Sequence, residues 1–443
     1  MRTYSRREFL VMGGVLAASA ALAACRPSAP EVSDAPEAGV DEPSPAPPET
    51  VTVVATSQMN IQLWDGSIER AKERLPHINL VTTQTGMPGG WSGYADQIIT
   101  QIAGGEQLDV IMIAVEGIPL LGAKNVLREL DSFIEVDQEA LEIIDDTHPL
   151  LLEMLQWDDK QLEIPFSWNN MVLYYNTRIF EEKGVDPPKD WDWGDFQQAC
   201  RAIADVKGEA DDLYAYSFWG SGMFGMCSWY FCNDTSPLTD DWRESNMLDP
   251  RVAETLQFLA DLILKEKVAP HPEGWDEWAN FHAGHLAMRT CGRWCIGGSL
   301  EEDFHEYDIA YQPYNAGPFR TVAGTDGWGI ATMSRYPDQA WEVVKLLSGE
   351  EASLDMVALG GNIPTLRSVA ERPEFMGVGP ANTALFYESL DYAKTVVSPP
   401  NFNIIEPLLN RHYQTIWSGE RTVQEAVQAA HEELQAEMEL LDW

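Results

Sequence analysis

Two spacings of apolar residues alternate along most of the chain. Residues 51–55 form a valine-rich run that reads as a buried strand, and residues 78–82 read as a second. Helical spacing over 67–75 lies between them, which makes one βαβ unit. The same spacing returns over 91–103 and stops at Gly104-Gly105. A near-continuous apolar run, 108–114, then suits a parallel strand covered on both faces, with Asp109 as a structural group. Further on, a polar-aromatic segment (166–170) precedes a strand over 171–175 and a short helix over 178–183 stopped by Gly184. After Pro187-Pro188, Asp190 is expected to cap a helix with Trp193, Phe196 and Cys200 on one face. The aromatic tract 214–231 is too irregular for one helix. Helices are expected over 252–265, 338–348 and 423–441, and strands over 308–313 and 330–333. Strands alternating with helices predict an α/β fold built on crossovers, with Trp193, Trp341 and Trp417 in its packing.

The first residues read differently. Ser5-Arg6-Arg7-Glu8-Phe9-Leu10 resembles a twin-arginine export signal, with Val11 where a Lys is often found. The apolar run 11–24 is too short for a permanent span and ends in Leu22-Ala23-Ala24-Cys25, which resembles a lipobox with Cys25 as the lipidated residue. Residues 1–25 are therefore expected to be a signal. Residues 26–50, rich in Pro, Ala, Ser, Asp and Glu, are expected to form a disordered tether. No later stretch is apolar enough to cross a bilayer.

Composition narrows the partners. The 443 residues carry a formal net charge of −41, so nucleic acid and anionic membrane would be repelled. A salt-rich habitat and a plain solubility device both account for that charge. Five of the six cysteines follow Cys25; Cys227 and Cys232 are near neighbours, as are Cys291 and Cys295. Bridges and buried free thiols are both open for an exported chain.

The order of blocks carries a resemblance. The segment 164–203, with its strand ending Tyr174-Tyr175-Asn176, its Gly184, Pro187-Pro188 and Trp193, resembles a signature of the extracellular solute-binding proteins, family 1, the carbohydrate receptors of ABC importers. Further blocks agree: the Asp109-Val110 strand, the segment 127–134, and Phe281, Gly284, Ala287 and Met288 followed by Gly292-Arg293-Trp294. The helix containing Ala340-Trp341 and the loop Gly360-Gly361-Asn362-Ile363-Pro364 complete the order. The resemblance implies a type II periplasmic-binding-protein-like fold, with two α/β lobes joined by hinge crossovers near Ser167, Gly329 and Pro364. Its implied lobes are 51–166 with 330–364 and 167–329 with 365–443. It further implies a monomeric receptor, lipid-anchored outside the cytoplasm. Such a receptor would close on a sugar or oligosaccharide and deliver it to the transmembrane permease, without catalysis and without a cofactor.

Candidate binding residues follow from sugar chemistry. Sugars offer flat C–H faces to aromatic rings and hydroxyls to Asp, Asn, Glu and Arg. Among sixteen tryptophans, Trp168, Trp219, Trp294 and Trp328 sit beside Gly, Ser, Asn or Arg, while Trp64 and Trp91 flank loops of the first lobe. Asn169, Asn170, Arg293, Asp326 and Asn362 are candidate hydroxyl partners, and Glu116 follows a strand at the usual cleft edge. Trp294 after Gly292-Arg293 and Trp328 between two glycines are expected to stack on the ligand. A cationic or zwitterionic solute in a Trp cage is the alternative within binding proteins. A glycan-cleaving enzyme would instead need two carboxylates facing each other about 5–10 Å apart. A zinc reading of His282, His285, Cys291 and Cys295 is disfavoured because the family block accounts for the same stretch, so no metal is expected.

Overall fold

A computed structural model describes residues 50–208 and 212–441. The export signal, Cys25 and nearly all of the tether therefore lie outside the described residues. Thirteen strands occur within the described part: β1 (Val51–Ser57), β2 (Ile78–Gln84), β3 (Val110–Ala114), β4 (Gln156–Trp157), β5 (Lys160–Gln161), β6 (Ile164–Asn170), β7 (Val172–Asn176), β8 (Tyr214–Ser217), β9 (Leu286–Cys291), β10 (Tyr307–Ala310), β11 (Thr321–Ile330), β12 (Ile363–Pro364) and β13 (Ala393–Thr395). The large sheet runs β12-β6-β11-β3-β1-β2, with β13 beside β11. The small sheet runs β10-β7-β9-β8, and β4 and β5 pair as a hairpin.

The apolar run anticipated at 108–114 becomes β3, buried at every position and parallel to β1. Asp109 just ahead of it is structural: its Oδ2 accepts from the Val54 amide at 3.0 Å and its Oδ1 from Ser334 Oγ at 2.7 Å. The helix Trp91–Ala103 packs Tyr94 and Ile98 into the layer beneath this sheet. In the other half, Trp193–Ile203 is capped by Asp192, whose side chain accepts from the Asp195 amide at 2.8 Å. Asp190, the expected cap, is instead a turn residue with φ of 38°. Trp193, Trp341 and Trp417 are buried, as the helical spacing anticipates. The tract 214–231 resolves into β8 and the helix Met223–Phe231.

Chain passage between the sheets decides where a ligand could sit. β6 belongs to the large sheet, β7 to the small one, and only Met171 separates them. The Met171 amide donates to the Thr321 hydroxyl at 2.9 Å, and that hydroxyl donates to the Met171 carbonyl at 2.7 Å. The first residue of β11 is thereby fastened beside the passage. The crossing expected near Gly329 therefore falls before β11, between residues 310 and 321. The ten-residue strand runs away from the hinge, and the expected strand 330–333 is only its far end. This is the doubled-sheet arrangement of a type II periplasmic binding protein.

Candidate functional site

Antiparallel pairing of β6 with β11 sets Ser167 opposite Asp326 and Asn169 opposite Gly324. Side chains alternate along a strand, so Ser167 and Asn169 share one face. Ser167 Oγ donates to Asp326 Oδ1 at 2.6 Å and accepts from Asn362 Nδ2 at 2.9 Å. Asn169 Oδ1 accepts from the Arg293 amide at 3.2 Å, which ties β6 to the small-sheet side. Glu116, in the turn after β3, lies close enough for Asp326 and Glu406 to act on it electrostatically. Burial pushes the Glu116 carboxyl up to about 8, and Glu406 and Asp326 add to the effect against a bond from its own amide. Burial likewise raises Asp326 to about 7, opposed by its bonds from Ser167.

The small-sheet side supplies rings. Trp219 and Trp294 lie 5.4 Å apart between ring centroids, and Phe224 lies 6.1 Å from Trp294. Trp219 is 38% exposed, and its Nε1 donates to Glu277 Oε1 at 3.0 Å. Glu277 in turn pairs with Arg289 at 2.7 Å. Trp294 stands on a turn closed by a disulfide between Cys291 and Cys295. Gly292 is needed there because a Cβ would collide with the Trp294 ring. The two sides meet at Gly324, where a Cβ would come within 2.7 Å of Phe224. They meet again at Glu406, on the helix Phe402–Trp417. Its Oε2 accepts from Ser92 Oγ and its Oε1 from the Met223 amide, both at 3.0 Å. Burial raises the Glu406 carboxyl, against those two bonds.

The structure brings together Glu116, Asn169, Trp219, Trp294, Asp326 and Asn362 from the residues singled out in the sequence. Trp168 and Asn170 point the other way on β6: Trp168 meets Tyr387 edge-on at 6.1 Å, and Asn170 Nδ2 donates to Phe386 O and Ser389 Oγ. Trp328 and Trp64 are 1% exposed and pack edge to face at 5.0 Å, with Phe166 alongside Trp64. The expectation that Trp328 stacks on a ligand is thus corrected. Its flanking glycines admit neighbouring backbone: a Cβ on Gly327 would lie 2.6 Å from Ile164 O, and one on Gly329 2.6 Å from Leu162 O. Trp91 is half-buried against Tyr94 at the start of its helix. Arg293 is fully buried. Its Nη1 donates to Gly361 O and Asn362 O, its plane covers Phe375 at 4.6 Å, and burial lowers it to about 10. It fastens the loop before β12 through Nη1, while its Nε and Nη2 are buried without a hydrogen-bond partner.

Sequence reasoning passed over Ser167, Phe224 and Glu406. The signal for Glu406 was present, since a carboxylate next to Ile405 and near Leu409 stands on the buried side of its helix. Cys291 and Cys295 are bonded to each other, which removes them from any zinc set, and Cys200, Cys227 and Cys232 are buried free thiols. Among the described residues no His, Cys, Asp and Glu group could hold a metal.

Comparison with known proteins adds the context. An arabinooligosaccharide-binding protein of Halalkalibacterium halodurans is 26% identical over 234 residues, 48% of this chain and 48% of that protein's length. A periplasmic sn-glycerol-3-phosphate-binding protein of Pectobacterium atrosepticum is 23% identical over 303 residues, covering 61% of this chain and 65% of that one. An ABC substrate-binding protein of Listeria monocytogenes, solved with cycloalternan, superposes with a TM-score of 0.77 at 21% identity, over 89% of this chain and all of that one. Residues 82–383 match the bacterial extracellular solute-binding protein model, and the chain belongs to that family.

Proposed function

We propose that the protein is the extracytoplasmic receptor of an ABC importer, which closes two lobes on a sugar or oligosaccharide and presents it to the permease. The observation that supports this reading is the grouping of unlike side chains where the two sheets meet. Glu116, Asp326 and Asn362 offer hydroxyl partners on the large-sheet side, and Trp219, Phe224 and Trp294 offer ring faces on the other. A pyranose needs both, because its hydroxyl rim bonds carboxylates and amides while its C–H faces lie on rings. A relative named as an arabinooligosaccharide-binding protein and a similar substrate-binding protein solved with cycloalternan support the same class. The lobes are the large-sheet half (51–170, with β11 and β12) and the small-sheet half (172–310, with the C-terminal helices), hinged at Met171 and 311–320. The receptor is a monomer held to the membrane by lipid on Cys25 through the tether 26–50. A thermal-shift screen of the mature protein against neutral mono- and oligosaccharides, glycerol 3-phosphate and quaternary amines tests the assignment. Neutral saccharides are expected to raise the melting temperature most. A larger rise with the phosphate or the amines, or none with any saccharide, would overturn it.

A further inference from the structure

A cavity of about 780 Å³ shares none of the candidate site's residues. One wall belongs to the hinge end of the large sheet. Phe319 lies two residues ahead of β11, and Lys394 lies in β13, paired in parallel with Val322 of β11. The opposite wall is the end of the helix Met223–Phe231 and the loop after it, with Asp234, Asp240 and Asp249, closed by Arg251. Every charge named here already has a partner. Lys394 Nζ sits 2.8 Å from Asp240, and Arg251 reaches Asp234 and Asp249 at 3.0 Å each. The Lys394 ammonium also lies 5.4 Å and 5.7 Å from the Phe231 and Phe319 ring centroids.

We propose that this cavity is a second solute site, for an uncharged polyhydroxylated molecule of mono- to disaccharide size. Its volume is that of a small-molecule site, about 300–1,000 Å³. The lining decides the class. An anion would have to displace carboxylates from Lys394 or Arg251 and enter against the acidic surface; a cation would have to displace those two side chains. A hydroxyl does neither. It donates to a carboxylate lone pair left over from the ion pair, or accepts from a spare N–H of Arg251, while the pairs stay intact. The Phe231 and Phe319 rings give apolar surface for the C–H face. The site goes beyond the reading of the cleft and does not depend on it.

The test uses the mature protein carrying Trp219→Ala and Trp294→Ala, which empties the cleft of its rings. Glucose, maltose and trehalose are titrated by ligand-observed NMR beside glucose 6-phosphate and glucosamine. At least one neutral sugar should bind saturably, one per chain, and both charged analogues more weakly. Lys394→Ala with Asp240→Ala removes an ion pair without stranding a charge and should weaken that sugar roughly tenfold, about the effect of losing one or two good hydrogen bonds. Should that variant melt early, Phe319→Leu keeps apolar bulk, removes the ring, and should weaken the same sugar several-fold. Absence of saturable binding by any neutral sugar, equal binding of the phosphate, or unchanged affinity in a folded pocket variant overturns the proposal. If wild type takes up sugar and the variant without cleft rings takes up none, only this inference fails. If both bind one sugar equally, the cleft reading fails and the second site stands.

Discussion

On the large-sheet side of the cleft, the candidate binding groups are short side chains fixed by strand register. Ser167, Asp326 and Asn362 bond one another at 2.6 and 2.9 Å, and Glu116 follows directly from β3. On the small-sheet side they are large rings carried by turns, with Trp219 partly in solvent and Trp294 on a short loop closed by two bonded cysteines. β6 and β11, which carry Ser167 and Asp326, are paired on both edges; the other wall is placed by side-chain packing and one covalent staple. The difference teaches that aromatic identity alone does not reveal a binding ring. Trp328 sits on the large-sheet wall and is core, whereas Trp294 sits on the turn that borders the cleft.

The sharpest way to break that contrast is to truncate one ring on each wall. Trp328→Ala should cost about 3–5 kcal/mol of stability, as for a buried aromatic deleted from a core, and calorimetry should show it. A variant that melts like the wild type would return Trp328 to the cleft. Trp294→Ala should do the reverse. It should lose about 2 kcal/mol of saccharide affinity by titration calorimetry, the scale of an aromatic anchor, with a small change in melting temperature.

The carboxyls of the large-sheet wall give a pH signature that the ring wall lacks. Asp326 and Glu116 titrate near 7 and 8 in the fold, against ordinary values of 3.8 and 4.5, so the folded chain holds these protons more tightly than the unfolded one. Their stabilising contribution is complete below the ordinary values and is lost as pH rises through about 7 and 8. The ligand-free protein should therefore melt progressively lower over that window. Glu116→Gln should flatten the fall by up to about 5 kcal/mol, since the carboxyl rises from 4.5 to about 8 and each tenfold change in proton affinity is worth about 1.4 kcal/mol. An unchanged slope in that variant would place the titration elsewhere on this acidic chain. The smallest effect is expected at the seam between the walls. Glu406→Gln keeps one acceptor of two and should cost under about 1 kcal/mol, yet it should move ligand-free molecules toward an open shape in X-ray scattering. A radius of gyration equal to wild type would mean that Glu406 does not hold the lobes together.

Legibility followed the same division. The alternation of β1, β3 and the first helices was plain in apolar spacing, because strands covered on both faces read as continuous apolar runs. Pleat geometry could have told more than was taken from it. Trp168, Asn169 and Asn170 are consecutive on one strand, so they could not all face one ligand, and Asn169 alone shares a face with Ser167. The glycines around Trp328 misled for a different reason. A glycine reports close approach without saying whether backbone or ligand is the neighbour, and here it is the carbonyls of Ile164 and Leu162. Spacing points to Asp190 as the cap where Asp192 is, because it does not fix a helix start to within two residues.

The disulfide has a further consequence. Cys291 and Cys295 enclose Gly292, Arg293 and Trp294, so one covalent bond fixes the ring, the Arg293 amide that reaches Asn169, and the guanidinium that grips the loop before β12. Such bonds form and persist where the surroundings oxidise, and cytoplasmic thiols are kept reduced. A chain still inside the cell would have the same sequence and nearly the same core, but an unclosed turn under its cleft ring. The staple would then hold the Trp294 ring and the Arg293 amide firmly only after the chain has reached oxidising surroundings.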